Sequence, residues 1–282
     1  MHYDKVLLSS VWFCGVTVKV LKAPKLLVLQ DRYHNIFIIM TMKRILVIAI
    51  LIGLWTSCSD KKQRIVYDEN PDSTLIESEI LEDTTSVTVA GLPIHFDSTA
   101  FLIHPIGKYR PNKRESKVYM SSYSSGSHGL AIAYRNNYSV SGNMENLKFQ
   151  SLQSDSLVKL TEMQLEIRSF TFLRSIYNSC KEQILLYSIT DKDTNKNKKL
   201  DSYDVESLYI SDIDGSNFKK LTPEMQELYD WEVIEIENKL YFITIEDINK
   251  NGDFEKSDLL HYYFVDLSEK ERKVKEYFPV EL

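Results

Sequence analysis

Two acidic, amide-rich loops contain the residues of this chain that could do chemistry. In the loop Asp247–Asp258, oxygen-bearing residues stand at positions 1, 3, 5, 7, 9 and 12: Asp247, Asn249, Asn251, Asp253, Glu255 and Asp258. Gly252 stands at position 6 and the apolar Phe254 at position 8. Ca²⁺ takes about six to eight hard oxygens, and a twelve-residue loop supplies them from these positions, with glycine at the sharp turn. The spacing therefore predicts a calcium site.

The loop Asp193–Asp204 keeps the same oxygen positions but carries more positive charge. Its candidate ligands are Asp193, Asn195, Asn197, the carbonyl of Lys199, Asp201 and Asp204. Lys198 replaces the glycine at position 6, and Lys196 adds a further ammonium group. Because these groups reduce the local negative potential, we expect weaker calcium binding here. For both loops the alternative is that Asp, Asn and Gly simply form good turns, since Asx side chains bond their own backbone.

The two loops belong to a sequence stretch that occurs twice. Residues 237–267 repeat residues 183–213 at an offset of 54 positions, which aligns Tyr187 with Tyr241, and Asp193 with Asp247. Each copy consists of an apolar strand, a polar loop and a second apolar strand. This pattern predicts a repeated β-hairpin whose tip is lined with oxygens.

The second loop resembles the calcium loops of EF-hands and dockerins, and also the Asp-rich hairpin loops of integrin-type propellers. EF-hands have flanking helices, whereas the flanks here, LYFITIE and LLHYYFVDL, are typical of strands. Asp258 at position 12 is one carbon too short for the bidentate reach of an EF-hand glutamate. We therefore expect a hairpin setting, and a calcium affinity in the range of extracellular modules, with Mg²⁺ less well suited.

A longer period of 50–60 residues surrounds the hairpins. Three units of four strands are predicted, preceded by a strand pair at 87–96 and 100–107. The strands of the first unit are 117–123, 130–135, 145–153 and one ending at Leu160-Thr161. Those of the second unit are 167–173, 184–190, 206–213 and one ending at Leu221-Thr222. Those of the third unit are 230–236, 239–245, 259–267 and 273–278. Four antiparallel strands repeated at this interval are typical of propeller blades.

SLYISDIDGSNFKKLTP, residues 207–223, resembles the blade hairpin of TolB-like β-propellers, in which a strand enters an Asp-Gly-Ser turn and returns to Leu-Thr-Pro. A tight turn at Asp214-Gly215 is expected, because glycine accepts positive φ. The resemblance implies an all-β fold that acts through protein contacts. Three units and a strand pair give three and a half to four blades, where TolB-type propellers close with six. We therefore expect a small or incomplete propeller, with a β-sandwich-like meander as the alternative.

The N-terminal sequence has the pattern of a targeting signal. Residues 42–57 combine Lys43-Arg44 with an apolar run of 11 residues and end before Cys58, which resembles a bacterial lipoprotein signal with Cys58 as the lipidated residue. Trp55 departs from the lipobox pattern, so an uncleaved anchor is the alternative. Residues 1–41 are interpreted as an over-extended start, or as a second hydrophobic segment at 6–18. Residues 58–86 are predicted to be an acidic linker, and residues 87–282 the repeat domain.

The net charge and the lack of common catalytic or nucleotide-binding motifs limit the classes of function that fit this chain. Residues 58–282 hold 27 Lys and Arg against 38 Asp and Glu, a net charge of −11, which disfavours nucleic acid as a partner. The sequence contains no GxSxG, HExxH, P-loop or Rossmann fingerprint. His104 and His128 would favour an enzyme only if they met a carboxylate in one cleft.

The favoured hypothesis is a non-enzymatic, calcium-binding lipoprotein of the bacterial cell envelope. The lipid anchor would hold it on the periplasmic or the cell-surface side of the outer membrane, where it would serve as a scaffold for a protein or glycan partner. The alternative is a calcium-dependent envelope hydrolase or lyase.

Overall fold

The computed structural model describes residues 8–13, 16–21, 63–67, 80–81, 84–110 and 130–280. The described part of the chain is mostly β, and one of its antiparallel sheets is strongly curled, like half a barrel. The predicted all-β class is confirmed. The predicted signal peptide and Cys58 lie outside the described residues. Within the described ranges, no helix is long and apolar enough to cross a membrane.

The chain divides into two compact units, residues 1–61 and 62–282. The described part of the first unit is an antiparallel hairpin of β1 (Leu8–Phe13) and β2 (Val16–Leu21), which are paired from Leu8 with Leu21 to Phe13 with Val16. The sequence pattern predicts no strands in this segment.

The second unit contains three antiparallel sheets. Its described strands are β3 (Val87–Ala90), β4 (Ile94–His95), β5 (Phe101–Tyr109), β6 (Ile132–Asn136), β7 (Ser139–Met144), β8 (Asn146–Ser151), β9 (Leu157–Lys159), β10 (Glu166–Phe172), β11 (Ile184–Thr190), β12 (Glu206–Asp212), β13 (Lys219–Lys220), β14 (Gln226–Ile234), β15 (Lys239–Glu246), β16 (Leu259–Asp266) and β17 (Val274–Tyr277). The sheet orders are β3-β5-β8-β9 with β4 also paired to β5, β13-β12-β11-β10-β7-β6, and β14-β15-β16-β17.

The second and third predicted units fold as four-stranded meanders, β10 to β13 and β14 to β17. In each meander a short helical segment joins the first strand to the second. These segments are the helix α1 (Arg174–Cys180) and a 3-10 turn (Glu235–Glu237), and neither was predicted. The strand assignments of these two units are confirmed to within a few residues.

The first predicted unit is not a single meander, which is a correction. β6 and β7 form a hairpin that extends the edge of β10, whereas β8 and β9 pair in the sheet that contains β5. The chain changes sheets at Glu145, between the fully buried Met144 and Leu147, so both sheets cover one core. The sequence pattern missed β7 because SVSGNM has few apolar residues. The predicted strand 117–123 lies outside the described residues.

β11 is buried at every position because its sheet separates two cores. Leu185 and Tyr187 point into the first core cluster, whereas Ile184 and Leu186 point into the second. The second cluster also takes Leu240 and other side chains of β15 and β16. Since Leu186 and Leu240 are equivalent in the repeat, the two hairpins pack through equivalent first strands. This packing holds the two loops at fixed relative positions.

The predicted turn at Asp214-Gly215 is present. Gly215 has φ +82°, and the following Ser216 N–H donates to Asp214 Oδ1. A Cβ atom added to Gly215 would lie 2.5 Å from the ring of Phe149, which is a buried residue of the neighbouring sheet. The turn therefore needs glycine both for its backbone conformation and for the close approach of Phe149.

Gly215→Ala should destabilise the protein by about 2–4 kcal/mol, because it adds left-handed strain and a clash in a packed core. Ser216→Ala, which removes only side-chain hydrogen bonds of the same turn, should cost about 1 kcal/mol or less. Urea unfolding of the two variants and the wild type measures the difference. Equal stability of the two variants would contradict this account of the turn.

Candidate metal centre

The two predicted loops form the tips of the hairpins β11–β12 and β15–β16. The last paired residues before each loop are Thr190 with Glu206 and Glu246 with Leu259, and strands flank both loops as expected. The second hairpin is shifted by one residue in register, so Tyr187 pairs with Tyr209 but Tyr241 pairs with Phe264. The repeat therefore preserves the loops more closely than the pairing of the strands.

The first aspartate of each loop accepts two consecutive backbone N–H groups. Asp193 Oδ1 accepts from Asn197 N at 3.0 Å and Oδ2 from Lys198 N at 2.7 Å. Asp247 makes the same pair of bonds, with Asn251 N at 3.2 Å and Gly252 N at 2.7 Å. Positions 1, 5 and 6 thus have one geometry in both loops.

The amide side chains at positions 3 and 5 repeat the same pattern. Asn195 Oδ1 accepts from the N–H of position 5 at 3.0 Å, and Asn249 Oδ1 does so at 2.9 Å. Asn197 Oδ1 and Asn251 Oδ1 accept from the N–H of position 7 at 2.9 and 2.8 Å. Oxygens from positions 1 and 3 therefore meet at one amide nitrogen in each loop, which brings them close together.

The last aspartate of each loop closes it. Asp204 Oδ2 accepts from the N–H of Asp201 at 2.9 Å, and Asp258 Oδ2 accepts from that of Glu255 at 2.7 Å. In the first loop, Asp204 Oδ1 also accepts from the N–H groups of positions 2 and 3. These bonds occupy the carboxylate of Asp204, so position 12 of the first loop fastens the backbone rather than presenting two oxygens outward.

Positions 4 and 6 are left-handed in both loops. Lys196 and Lys250 at position 4 have φ of 56° and 57°. At position 6, Lys198 has φ 65° and Gly252 has φ 83°. The sequence predicted the sharp turn from Gly252, and the first loop makes the same turn with a lysine, at a steric cost of about 1 kcal/mol or more.

The loops concentrate buried negative charge. Asp204, Asp247 and Asp258 are 0%, 4% and 8% exposed. Burial raises the pKa of the Asp204 carboxyl against the opposing effect of its backbone hydrogen bonds, and the neighbouring Asp193 and Asp201 raise it further. A cation between these oxygens would offset the mutual repulsion of the carboxylates.

The donor set fits a hard cation. Within the described ranges, no three His, Cys, Asp and Glu side chains are grouped as a ready-made metal site. The loops instead combine carboxylates with the amide oxygens of positions 3 and 5 and the backbone carbonyls of Lys199 and Asp253. Ca²⁺ accepts such a mixed oxygen set, whereas zinc prefers nitrogen and sulfur. At position 9, Asp201 Oδ2 lies 3.3 Å from Asn197 Nδ2, and Glu255 is exposed.

A segment that the sequence assigns to the linker lies against both loops. Residues 63–67, called the strap below, donate from Arg64 N and Ile65 N to Gly252 O at 2.7 and 3.0 Å. On the other side, Val66 N donates to Thr194 O at 2.8 Å, and Thr194 Oγ1 donates to Arg64 O at 2.7 Å. Ile65 is only 1% exposed. These five residues are thus part of the folded unit, not of a free tether.

Arg64 connects the strap to side chains around both loops. Its guanidinium donates to Asp204 O at 2.6 Å, forms an ion pair with Glu227 at 2.8 Å and lies over the ring of Phe254. The hydroxyl of Tyr67 contacts the Asp247 carboxylate, and burial, followed by this carboxylate, raises the pKa of Tyr67. The signal that sequence reasoning missed is the apolar run Ile65-Val66-Tyr67 within a polar, acidic stretch.

His261 is a second residue that sequence reasoning missed. Its ring nitrogens lie 2.8 Å from Glu246 on β15 and 2.9 Å from Glu276 on β17. Burial lowers the pKa of His261, but the two carboxylates outweigh it, so the pKa is raised overall. Glu246 directly precedes Asp247, so this bridge anchors the entry to the second loop.

Among the described residues, His104, His95 and Cys180 do not meet in a reactive group. His104 Nε2 pairs with Gln150 Oε1 at 2.9 Å, and His95 Nε2 pairs with Thr99 O at 3.0 Å. Cys180 is half-buried, with its Sγ donating to Ile176 O. His128 lies outside the described residues.

No protein-family model and no curated protein sequence matches the chain. The functional hypothesis therefore depends on the geometry of the two loops and on the sequence patterns around them.

Glu227→Gln should change how stability depends on pH. Burial, opposed by Arg64 and the Glu206 N–H, raises the pKa of Glu227 to about 7. Because this value lies above the unfolded value near 4.3, the wild type should lose up to about 2 kcal/mol of stability from this group as pH rises from about 4.5 to 7. Urea unfolding of both proteins across this range measures the gap, which should grow in favour of the variant.

The control is Glu162→Gln, which removes an exposed carboxylate that pairs with Lys159. Its stability difference from the wild type should stay nearly constant over the same pH range. A constant difference for Glu227→Gln as well would contradict the raised pKa.

Proposed function

We propose that both loops bind Ca²⁺ and that this binding fixes the tips of the two hairpins. The observation that supports this proposal best is the shared hydrogen-bond pattern of the loops. Positions 1, 3 and 5 direct their side-chain oxygens at the same backbone amides in both copies, and Oδ2 of position 12 accepts from the N–H of position 9 in both, although their strand pairing differs. The loop hydrogen bonds are kept while the register of the flanking strands is shifted by one residue. This indicates selection on the loop itself.

The side chains of positions 1, 3 and 5 and the carbonyl of position 7 would hold the ion, with position 9 acting directly or through water. Position 12 would mainly close the loop, since its carboxylate is bonded to backbone N–H groups. The first loop should bind more weakly, because it carries Lys196, Lys198 and Lys199 and lacks glycine. Dissociation constants on the order of 10⁻⁴–10⁻³ M are typical of extracellular calcium modules.

The wider proposal is a non-enzymatic lipoprotein of the bacterial cell envelope that serves as a scaffold for a protein or glycan partner. The sequence around Cys58 supports a lipid anchor, and the acidic composition of the domain suits a cation-rich surrounding. The two complete meanders support the resemblance to TolB-like blades, in a small or incomplete propeller. TolB-like propellers act through protein contacts, so the same mode of action is proposed for this chain.

An aromatic cluster on the outer face of the last sheet, β14 to β17, supports the proposal of a protein or glycan partner. Tyr241, Phe264 and Tyr277 form a half-exposed aromatic cluster there, with ring centroids 5.6 to 6.0 Å apart. Lys239 and Lys275 lie over the ring of Phe264. Aromatic side chains with an exposed face are frequent at recognition surfaces.

Calorimetry on the full chain in detergent tests the calcium proposal. We expect calcium heats from the wild type, and a stabilisation of about 2–3 kcal/mol when calcium exceeds the dissociation constant about a hundredfold. Asp247→Ala should abolish the tighter binding event and Asp193→Ala the weaker one. Asp155→Ala, which removes an equally charged but exposed residue in another turn, should change neither. No heat and no melting shift in calcium up to about 100 mM, a hundredfold above the weakest expected dissociation constant, would refute the proposal.

Lys198→Gly should tighten binding at the first loop. Glycine accepts the left-handed conformation of position 6, and the change also removes an ammonium group, so about 1 kcal/mol or a fivefold gain in affinity is expected. Lys199→Ala removes a neighbouring positive charge at a residue without positive φ and should give a smaller gain. If both variants bind equally, the conformational part of the argument is wrong.

A further inference from the structure

We infer that the strap, residues 63–67, docks in step with calcium binding and couples the two loops into one cooperative unit. This inference rests on the proposed function, because it concerns how the same two loops are regulated. It assigns to the N-terminal part of the predicted linker a role that the sequence does not indicate.

The strap bonds candidate ligand residues and their chain neighbours in both loops. In the first loop it bonds Thr194 at position 2 and Asp204 at position 12. In the second loop it reaches Asn251 at position 5 through the Gln63 side chain, at 2.9 Å, and Gly252 at position 6 through two backbone N–H groups. Five consecutive residues thus join both loops through backbone and side-chain bonds.

The fit between the strap and the second loop is close. Gly252 is buried, and a Cβ atom added to it would collide with the carbonyl oxygen of Ile65. The strap can approach this turn only because position 6 carries no side chain. Glycine at position 6 of the second loop therefore serves two purposes, the sharp turn and the seat of the strap.

Ion binding should favour the docked strap for a physical reason. Loop carboxylates hold the residues that carry the strap's acceptors. Thr194 N donates to Asp204 Oδ1 and Gly252 N donates to Asp247 Oδ2, so closure of each loop positions Thr194 O and Gly252 O. Without a cation, the carboxylates of a loop repel one another and favour more open arrangements, in which these carbonyls move. An ion that prefers the closed loop thereby also prefers the docked strap.

Linkage makes this coupling reciprocal. If calcium stabilises the docked strap, the docked strap raises calcium affinity by the same factor, and a strap shared by two loops transmits the effect from one loop to the other. Arg64 is the positioning residue in this scheme, because its guanidinium contacts Asp204 O of the first loop and lies over Phe254 of the second.

The test follows backbone hydrogen exchange of the full chain in detergent, in about 100 mM calcium, in the same concentration of magnesium and in chelator. Peptides that cover Arg64, Ile65 and Val66 should exchange at least tenfold more slowly in calcium than in the other two conditions. Asp193→Ala should reduce this protection and also weaken calorimetric binding at the second loop, by about fivefold or more.

Val66→Pro tests the coupling while keeping every candidate ligand, because it removes the N–H that bonds Thr194 O. It should lower calcium affinity at both loops and abolish cooperativity. The matched control, Val66→Ala, keeps this backbone N–H and should behave like the wild type. Exchange of the β11 amides shows whether each variant is folded. If Val66→Pro does not fold, Asp193→Ala still decides through its effect on the second loop.

The outcomes separate the two proposals. Two results would overturn the coupling and leave the proposed function intact. One is a heat of calcium binding without any change in hydrogen exchange of the strap. The other is a calcium affinity at each loop that does not change when the other loop is mutated. The absence of calcium heats would overturn both. Slower strap exchange in calcium, together with weaker binding at the second loop in Asp193→Ala, would support the coupling.

Discussion

The fold depends on the burial of both faces of β11. Its odd-numbered side chains fill one core and its even-numbered side chains fill another, so the sheet that contains it is an inner layer. The second hairpin then packs on the outer side of this layer through Leu240 and Phe242. Because rigid packing fixes the two hairpins, their tips stay adjacent, and a short peptide can bind both.

The loops themselves are held by carboxylates that accept backbone N–H groups. Such bonds order the loop and offset only part of its negative charge, and three of the carboxylates are nearly inaccessible to solvent. The carboxylates that shape each loop therefore also repel one another, and a bound cation would reduce this repulsion. The imidazole of His261 and the guanidinium of Arg64 offset acidic neighbours at the loop margins, at Glu246 and Glu227.

The repeat made much of this arrangement predictable. Apolar runs such as ILLYSIT and KLYFITI gave the hairpin strands, and the spacing of Asp, Asn and Gly gave the loop shape, because both depend on local sequence. β7 was missed because SVSGNM has few apolar residues and gains its place by pairing with β10. The strap was missed because its partners lie far away in the chain, and the His261 bridge because it depends on the register of three strands, and a single sequence carries no record of such pairs.

On the proposal that Cys58 carries a lipid, docking of the strap would set the reach of that anchor. A linker that ran freely from Cys58 to Ser86 could extend for about 90–100 Å, far enough to place the domain well away from a bilayer. With Gln63 on the second loop, the chain from Cys58 to Gln63 has a maximum contour of about 18 Å. On a lipidated protein, seating or releasing five residues would thus decide whether the domain stays beside the lipid headgroups or extends several nanometres beyond them.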